Sequence, residues 1–269
     1  MRYDRNWYDE AMACLMEADR GVKPIENFLC VIQKSDKIIK KSHPNSSEYK
    51  IAISLKAEAL GWLAEYGYSP KETLEKAIKV CDEALNVLKP PERQLYLKIL
   101  LIKTNALVRL SEHSHTAVEN LKDAIKICNK IIHTGYVEFP EYYLAFGTKG
   151  NAHLFLARLS IKPKENLDSA ILAYTQALVG LKLLKLAPYG FVQIFMNRAV
   201  AYSIMSSYNP SECRYYLEQA FKDYDAVINI LSRHGHSQSQ SYNRTLVNKA
   251  CILLRLAEHE PTQFAKISV

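Results

Sequence analysis

Residues 70–85 of the chain read PKETLEKAIKVCDEAL, and close variants of this stretch return along the sequence. Each variant begins at a fixed slot, held by proline in four copies and by alanine in one, with glutamate two residues later. The slots are Pro24, Pro70, Ala117, Pro163 and Pro210, at steps of 46, 47, 46 and 47 residues. Proline suits the first turn of a helix, where its missing N–H would be unpaired, and the glutamate favours the positive end of the helix dipole. A helix start that returns at this period predicts an array of helical repeats.

After each slot the residues follow one helical pattern, which defines the B-type helices. A small residue is followed four positions later by cysteine or tyrosine, and three positions further by an aliphatic residue. The aligned stretches are TLEKAIKVCDEAL (73–85), NLKDAIKICNKII (120–132), NLDSAILAYTQAL (166–178) and LEQAFKDYDAVI (217–228). A small residue lets two helices approach closely, and the larger residue one turn later fills the space beyond the contact. We therefore expect this seam to pack against a partner helix.

Between the B-type helices lie further segments with a helical period of 3.6 residues, the A-type helices, and no segment has a strand pattern. The A-type helices are predicted at 4–20, 46–66, 91–112, 139–160, 188–207 and 239–259, and the B-type helices at 23–41, 70–88, 116–134, 163–186 and 210–233. The segments between the helices contain helix-terminating residues such as Pro90-Pro91. The sequence thus predicts an all-α, single-domain array over 1–269. The helix at 239–259 should cap it with a polar outer surface, followed by a weakly ordered tail, PTQFAKISV.

The stretch NRAVAYSIMSSYNPSECRYYLEQAFKDYDAVI (197–228) resembles the helix pair of the tetratricopeptide repeat (TPR) family, N-R-A-x-x-Y … A-x3-[FY]-x2-A-[IL]. Weaker echoes of the first helix are LGWLAEYG (60–67) and KGNAHLFL (149–156), and the resemblance covers roughly 20–260. It implies a right-handed α-solenoid of antiparallel helix pairs, with the A-type helices on the concave wall. The chain departs from the family in its period, since TPR repeats have about 34 residues; HEAT and armadillo repeats, with about 40–47, are the structural alternative.

The net charge of +7 is unevenly distributed. The A-type segments 95–111, 142–160, 188–208 and 239–257 contain no Asp or Glu, but they do contain Lys98, Lys103, Arg109, Lys149, Arg158, Arg198, Arg244, Lys249 and Arg255. A concave wall with one sign of charge attracts a ligand of the opposite sign. Alternatively, these are ordinary solvated charges on exposed helix faces.

The same helices repeat an asparagine at related places: Asn105, Asn151, Asn197 and Asn248. A side-chain amide can pair with both backbone groups of an extended peptide. The TPR resemblance implies that Asn197 contacts the carboxylate of a peptide C-terminus, although Gly147 stands where that family's clamp has lysine. The alternative is that the asparagines pair across neighbouring A-type helices and fix their stacking.

These patterns predict a non-enzymatic protein–protein interaction scaffold that binds an acidic or C-terminal peptide segment of another protein in a basic groove. The predicted peptide-binding residues are Lys98, Asn105, Arg109, Asn151, Asn197, Arg198, Arg244, Asn248 and Arg255, with the two arginines Arg198 and Arg244 as preferred specificity contacts. The rival interpretation is an RNA-binding helical repeat that uses the same cations and stacking tyrosines. A helical enzyme with its pocket in the groove is a third class.

Catalytic and metal motifs are absent from the sequence. There is no G-x-S-x-G, phosphate-binding glycine loop, H-E-x-x-H or GxGxxG, so neither catalysis nor a cofactor is expected. The close histidine pairs His113/His115 and His234/His236 have no nearby cysteine or carboxylate set, and no metal site is predicted. No apolar run approaches the roughly 18 residues that cross a bilayer. Six dispersed cysteines without a CxxC pair favour reduced, buried thiols in a cytoplasmic protein.

Overall fold

The computed structural model describes residues 6–19, 22–88, 92–185, 191–237 and 239–258. Within these ranges the chain forms eleven α-helices and no strand. The helices are α1 (Asn6–Asp19), α2 (Pro24–Lys41), α3 (Ser47–Glu65), α4 (Pro70–Val87), α5 (Arg93–Leu110), α6 (Ala117–His133), α7 (Pro140–Arg158), α8 (Pro163–Leu183), α9 (Val192–Tyr208), α10 (Cys213–Arg233) and α11 (Gln240–Glu258). The predicted all-α fold is confirmed: odd-numbered helices are A-type and even-numbered helices are B-type.

The repeated slot marks where the B-type helices begin. Four of them begin at the slot residue itself: α2 at Pro24, α4 at Pro70, α6 at Ala117 and α8 at Pro163. The fifth slot, Pro210, opens a 3-10 turn that leads into α10. The predicted break at Pro90-Pro91, the predicted helix start at 188 and the predicted tail 261–269 lie outside the described residues.

Contacts divide the chain into two compact units, the N-terminal unit (Met1–Thr148) and the C-terminal unit (Lys149–Val269). In the N-terminal unit consecutive helices from α1 to α6 pack on one another, and the A-type helices α3 and α5 also contact each other. In the C-terminal unit α8, α9, α10 and α11 pack in the same sequential way. Each unit is therefore built from consecutive helix hairpins. One right-handed superhelix over the whole chain stays a prediction.

The core of each unit follows the B-type pattern. The small residues Ala77, Ala124, Ala170 and Ala220 are all completely buried. The cysteine or tyrosine four positions later is buried as well, at Cys81, Cys128, Tyr174 and Tyr224. Burial of this two-residue seam in four repeats allows the neighbouring helices to approach closely.

A side-chain bracket fixes the start of three B-type helices. The residue three positions after the proline donates a hydrogen bond to the carbonyl two positions before it: Asn27 to Val22 (2.8 Å), Thr73 to Tyr68 (2.8 Å) and Asn166 to Ile161 (2.7 Å). The intervening residues Lys23, Ser69 and Lys162 have left-handed φ values of 41°, 41° and 38°. The copy without proline has no such turn, and within the described residues the Nδ2 of Asn120 has no hydrogen-bond partner. The bracket thus accompanies the proline at Pro24, Pro70 and Pro163 and holds the turn that leads into each of these helices.

The outward face of α11 differs from the prediction. It carries an apolar stripe of Leu246, Val247, Leu253 and Leu254, all exposed. The predicted polar outer surface of this helix is therefore wrong for the described residues. Two polar side chains of α11 contact α10: Asn248 hydrogen-bonds with Tyr224, and Lys249 forms an ion pair with Asp225. None of the described helices combines the length and the apolar character needed to cross a membrane.

Candidate functional site

The A-type helices of the N-terminal unit form a groove with two connected pockets. One pocket of about 490 Å³ lies between α3, α5 and the start of α7, and the other, of about 350 Å³, lies between α1, α3 and α5. Both are lined by Glu58, Trp62 and Lys98, so they are neighbouring parts of one surface. We call this surface the N-terminal groove. It lies on A-type helices, but in large part on α1 and α3, whereas sequence analysis assigned the ligand to the A-type helices from α5 to α11.

Trp62 is the most prominent apolar side chain of the groove. Its side chain is 41% exposed although it stands on the well-packed helix α3. Its ring lies parallel to the buried ring of Phe28, with the centroids 6.4 Å apart and the planes at 9°. Tyr8, Met16 and Ile51 add further exposed apolar surface at the α1 end. A rigidly supported, solvent-accessible tryptophan has the features of an interface hot spot.

The predicted cations Lys98 and Arg109 both lie in this groove, but each has a carboxylate partner on α3. Lys98 Nζ lies 2.8 Å from Glu58, and Arg109 forms an ion pair with Glu65. Arg109 also donates to the Gly61 carbonyl at 3.4 Å. The acid-free helix α5 is thus faced by acids of the preceding A-type helix. The groove has balanced charge at these positions instead of the basic surface expected from α5 alone.

Glu141, in the first turn of α7, adds a third carboxylate to the lining. Its Oε2 atom is buried and has no hydrogen-bond partner among the described residues. An unsatisfied buried acceptor is costly, of the order of 1–3 kcal/mol. Because this oxygen is shielded from solvent, a ligand in the groove would meet Glu141 as a negative charge in the wall, which favours a ligand with N–H groups or a positive charge.

Asn105 is the one predicted asparagine that lines the N-terminal groove. The side chain is exposed, and its Oδ1 accepts a hydrogen bond of 2.8 Å from the Thr148 hydroxyl. This contact joins the A-type helices α5 and α7 within the unit. Asn105 therefore combines a stacking contact with a position at the groove surface.

In the C-terminal unit two of the predicted asparagines meet each other. The Asn151 Oδ1 accepts from the Tyr174 hydroxyl and from the Asn197 Nδ2, both at 2.8 Å. Gln193 donates to the Asn197 Oδ1 at 2.9 Å. Tyr174 has no exposed surface, and burial raises the pKa of its hydroxyl. These contacts are those of the stacking alternative, in which the amides join α7, α8 and α9.

Arg198 forms a bidentate pair with Asp223 of α10. The Nε–Oδ2 and Nη2–Oδ1 distances are 2.8 and 2.7 Å, and Nη1 donates to the Thr175 hydroxyl at 2.9 Å. The side chains of Arg198 and Asp223 are only 16% and 6% exposed. The guanidinium is thus occupied between helices, although sequence analysis made it a preferred ligand contact.

The remaining predicted residues of this unit lie on α11. Burial raises the pKa of Tyr224 to about 12, while a hydrogen bond with Asn248 and the charge of Arg244 act in the lowering direction. Arg255 donates to the Ser203 carbonyl at 3.0 Å and to the Ser206 hydroxyl at 2.6 Å. Asn248 and Arg255 therefore contact neighbouring helices, whereas Arg244 is exposed.

Sequence reasoning did not assign Trp62, Glu58, Glu65 or Glu141 to a site. Trp62 lies in the weak TPR echo 60–67, but its helix α3 contains glutamates and so is not one of the acid-free helices that carry the predicted cations. Glu58 and Glu65 are seven residues apart and so share one helix face, which is the signal that would have found them. Across the described residues, histidine, cysteine and carboxylate side chains form no cluster of three that could hold a metal ion.

Comparison with protein-family models found none that matches the chain, and comparison with curated proteins found no significant relative.

Proposed function

We propose that this protein is a TPR-like scaffold for protein–protein interaction, and that its N-terminal groove binds a peptide segment of a partner protein without catalysis. The observation that carries the proposal is the pair of connected pockets on A-type helices, centred on the supported ring of Trp62. The TPR resemblance adds the expectation that ligands lie along these helices.

The dimensions of the groove favour an extended segment. Two pockets that meet at Trp62 can accept two side chains of one peptide, with a bulky apolar side chain against the tryptophan. The amide of Asn105, at the edge of the larger pocket, is placed to pair with the peptide backbone.

The charges of the groove favour a ligand with a basic side chain near that apolar residue. Lys98 and Arg109 are paired with Glu58 and Glu65. Among the described charged residues of the groove, this leaves the carboxylate of Glu141 without an ion-pair partner. An acidic segment would have to break these ion pairs or approach Glu141 directly. The acidic ligand expected from the charge of the later A-type helices is therefore less suited to this groove than a basic one.

RNA is a poorer fit to the same groove. Phosphate groups would approach three glutamates, and the two cations that could bind them are engaged with two of those glutamates. Nucleic-acid sites instead concentrate unpaired Lys and Arg along the path of the backbone. We therefore place peptide binding ahead of nucleic-acid binding.

Selection from a random library of displayed peptides on the immobilised full chain tests the proposal. We expect selected peptides to bind with a Kd near the micromolar range (on the order of 1 μM). Trp62→Ala should weaken their binding more than tenfold, about 2 kcal/mol for a hot-spot residue. Tyr215→Ala, an exposed aromatic on the B-type helix α10, is the matched control and should bind as the wild type does. Failure to select any peptide, or equal binding by the Trp62 variant, would refute the proposed groove.

A further inference from the structure

Two cysteines of the N-terminal unit face each other across a helix pair. Cys14 on α1 and Cys30 on α2 have their Sγ atoms 3.0 Å apart, and the Cys14 thiol donates to the Cys30 sulfur. Both side chains are only partly buried, so a small reagent can reach them. Cys81 and Cys128, by contrast, are completely buried, each within its own helix seam. Cys14 and Cys30 therefore form a close and accessible pair of thiols.

The surroundings give the two sulfurs different roles. Burial and the hydrogen bond to Cys30 raise the pKa of Cys14 to about 11, although the positive charge of Lys34 lowers it. The Cys14 thiol therefore keeps its proton and donates a hydrogen bond to the Cys30 sulfur. Lys34 lies one turn after Cys30 on α2 and is held by an ion pair with Glu10 of α1. The sulfur that accepts the hydrogen bond, Cys30, is the one suited to react first.

We infer that Cys14 and Cys30 form a reversible disulfide that ties α1 to α2, made by exchange with a small-molecule disulfide such as oxidised glutathione. Cys30 loses its proton to solvent, and its thiolate attacks one sulfur of that disulfide and expels one thiolate. Cys14 then loses its proton to solvent and attacks the Cys30 sulfur of the mixed disulfide, which expels the second thiolate. Two protein thiols are oxidised to one S–S bond, and one small disulfide is reduced to two thiols.

The geometry makes the second step intramolecular and short. The two sulfurs need to approach by only about 1 Å to reach the disulfide bond length of about 2.05 Å. The helices are already held together by Ala11, Ala18, Phe28 and Val31 in their shared core. The thiol pair thus has a high effective concentration, and a mixed disulfide at Cys30 is resolved before it accumulates.

The disulfide has a consequence for the groove, and this part rests on the proposed function. Helix α1 supplies Tyr8, Met12 and Met16 to the smaller pocket. A covalent tie to α2 would hold this wall of the groove more firmly than the shared core of the two helices alone. Oxidation would then stabilise the apolar end of the peptide site.

The test uses the full chain with Cys251→Ser, because Cys251 is exposed and could join two molecules. The protein is incubated with oxidised glutathione, alkylated and measured by intact mass and peptide mapping. We expect the loss of two hydrogen atoms, a cross-linked peptide that joins Cys14 to Cys30, and full reversal by dithiothreitol. The melting temperature should rise on oxidation by roughly 5 °C. Glutathione attached stably to both cysteines, or no modification of either, would overturn the inference.

Two serine variants separate the roles of the thiols. Cys14→Ser should trap glutathione on Cys30, and Cys30→Ser should acquire it at least tenfold more slowly on Cys14. Equal trapping of glutathione in both variants would overturn the assigned order of attack. Failure of the Cys14–Cys30 cross-link to form in the Cys251→Ser protein would overturn the disulfide itself. Both readouts are independent of peptide binding, so a failed peptide selection leaves them unchanged.

Discussion

The A-type helices of the two units carry the same residue types and use them differently. In the N-terminal unit Arg109 and Glu65 lie at the groove surface, with 39% and 44% of their side chains exposed. In the C-terminal unit Arg198 and Asp223 are 16% and 6% exposed and join helices α9 and α10. The position of the acidic partner therefore decides the role of the arginine. Arg109 pairs with an acid on a neighbouring A-type helix and stays at the groove surface, whereas Arg198 pairs with an acid on a B-type helix and is largely buried.

The largest expected effect is on the buried pair. Arg198→Ala should lower the free energy of unfolding by about 3–5 kcal/mol, because it leaves the Asp223 carboxylate buried without its partner. Arg109→Ala, the counterpart in the N-terminal unit, should cost less than about 1 kcal/mol, since exposed ion pairs contribute little. Urea denaturation monitored by circular dichroism measures both. Equal losses of unfolding free energy in the two variants would show that the two arginines do not differ in their structural role.

The second comparison concerns two glycines inside A-type helices. A Cβ atom at Gly150 would lie 2.7 Å from the ring of Tyr174, whereas one at Gly61 would meet nothing within 4 Å. Gly150→Ala should therefore cost about 1–3 kcal/mol from overpacking. Gly61→Ala should instead stabilise the helix by about 0.5–1 kcal/mol.

A double variant checks the cause of the Gly150 effect. Tyr174→Cys introduces the residue found at the same seam position in two other repeats, and it removes the ring that the new Cβ would meet. Gly150→Ala should then cost much less in the Tyr174→Cys background than in the wild type. Thermal melts of the four proteins in this cycle measure the coupling. Additive effects of the two changes would show that contact with the tyrosine ring is not the cause.

The third prediction concerns ligand choice in the N-terminal groove. Glu141→Gln removes the unpaired carboxylate charge, so selected peptides with a basic residue should bind about tenfold more weakly, about 1.4 kcal/mol. Peptides with that residue replaced by norleucine should bind both proteins equally. Fluorescence polarisation with labelled peptides measures these affinities, and Glu138→Gln on the exposed turn before α7 is the control. A preference for acidic peptides in the wild type would contradict the proposed ligand but leave the groove intact.

The smallest expected change in the free energy of unfolding concerns two turns with the same backbone geometry but different residues. Gly67 after α3 and Ser160 after α7 both have left-handed backbone, with φ of 78° and 61°. In each turn the next residue donates to the carbonyl five positions before it, Tyr68 to Leu63 and Ile161 to Leu156, both at 3.0 Å. Ser160→Gly should therefore stabilise the protein by about 0.5–1 kcal/mol, and Gly67→Ser should destabilise it by a similar amount. Differential scanning calorimetry of both variants measures the change, and shifts of the same sign would contradict the equivalence.

The parts of the fold that depend on local sequence were predictable. Proline at the first turn fixes a helix start within a few residues, and the seam of Ala77 and Cys81 follows from a 3.6-residue period. Proline holds four of the five slots, and the seam is buried in the four aligned repeats. Both features are local because they need only the segment itself and one neighbouring helix.

The site was predicted less well because its contacts join distant segments. Arg198 and Asp223 are 25 residues apart, and Asn151 and Asn197 are 46 apart. Nothing in the local pattern of an A-type helix shows which acid or amide will face it. The sequence shows that Asn166 is polar and that Leu254 is apolar. The hydrogen-bond partner of Asn166 and the exposure of Leu254, however, depend on how the helix hairpins pack.

The central claim is that a partner peptide occupies the N-terminal groove, and a photo-reactive form of a selected peptide tests it most directly. After irradiation with the wild-type chain, mass spectrometry maps the cross-linked residues. We expect adducts on α1, α3 and α5 around Trp62, and their loss in Trp62→Ala. The B-type helix α8 offers a rival apolar surface at Leu172, Val179 and Leu183, all more than half exposed. Adducts confined to α8, with the same yield in Trp62→Ala, would show that the peptide does not bind in the N-terminal groove.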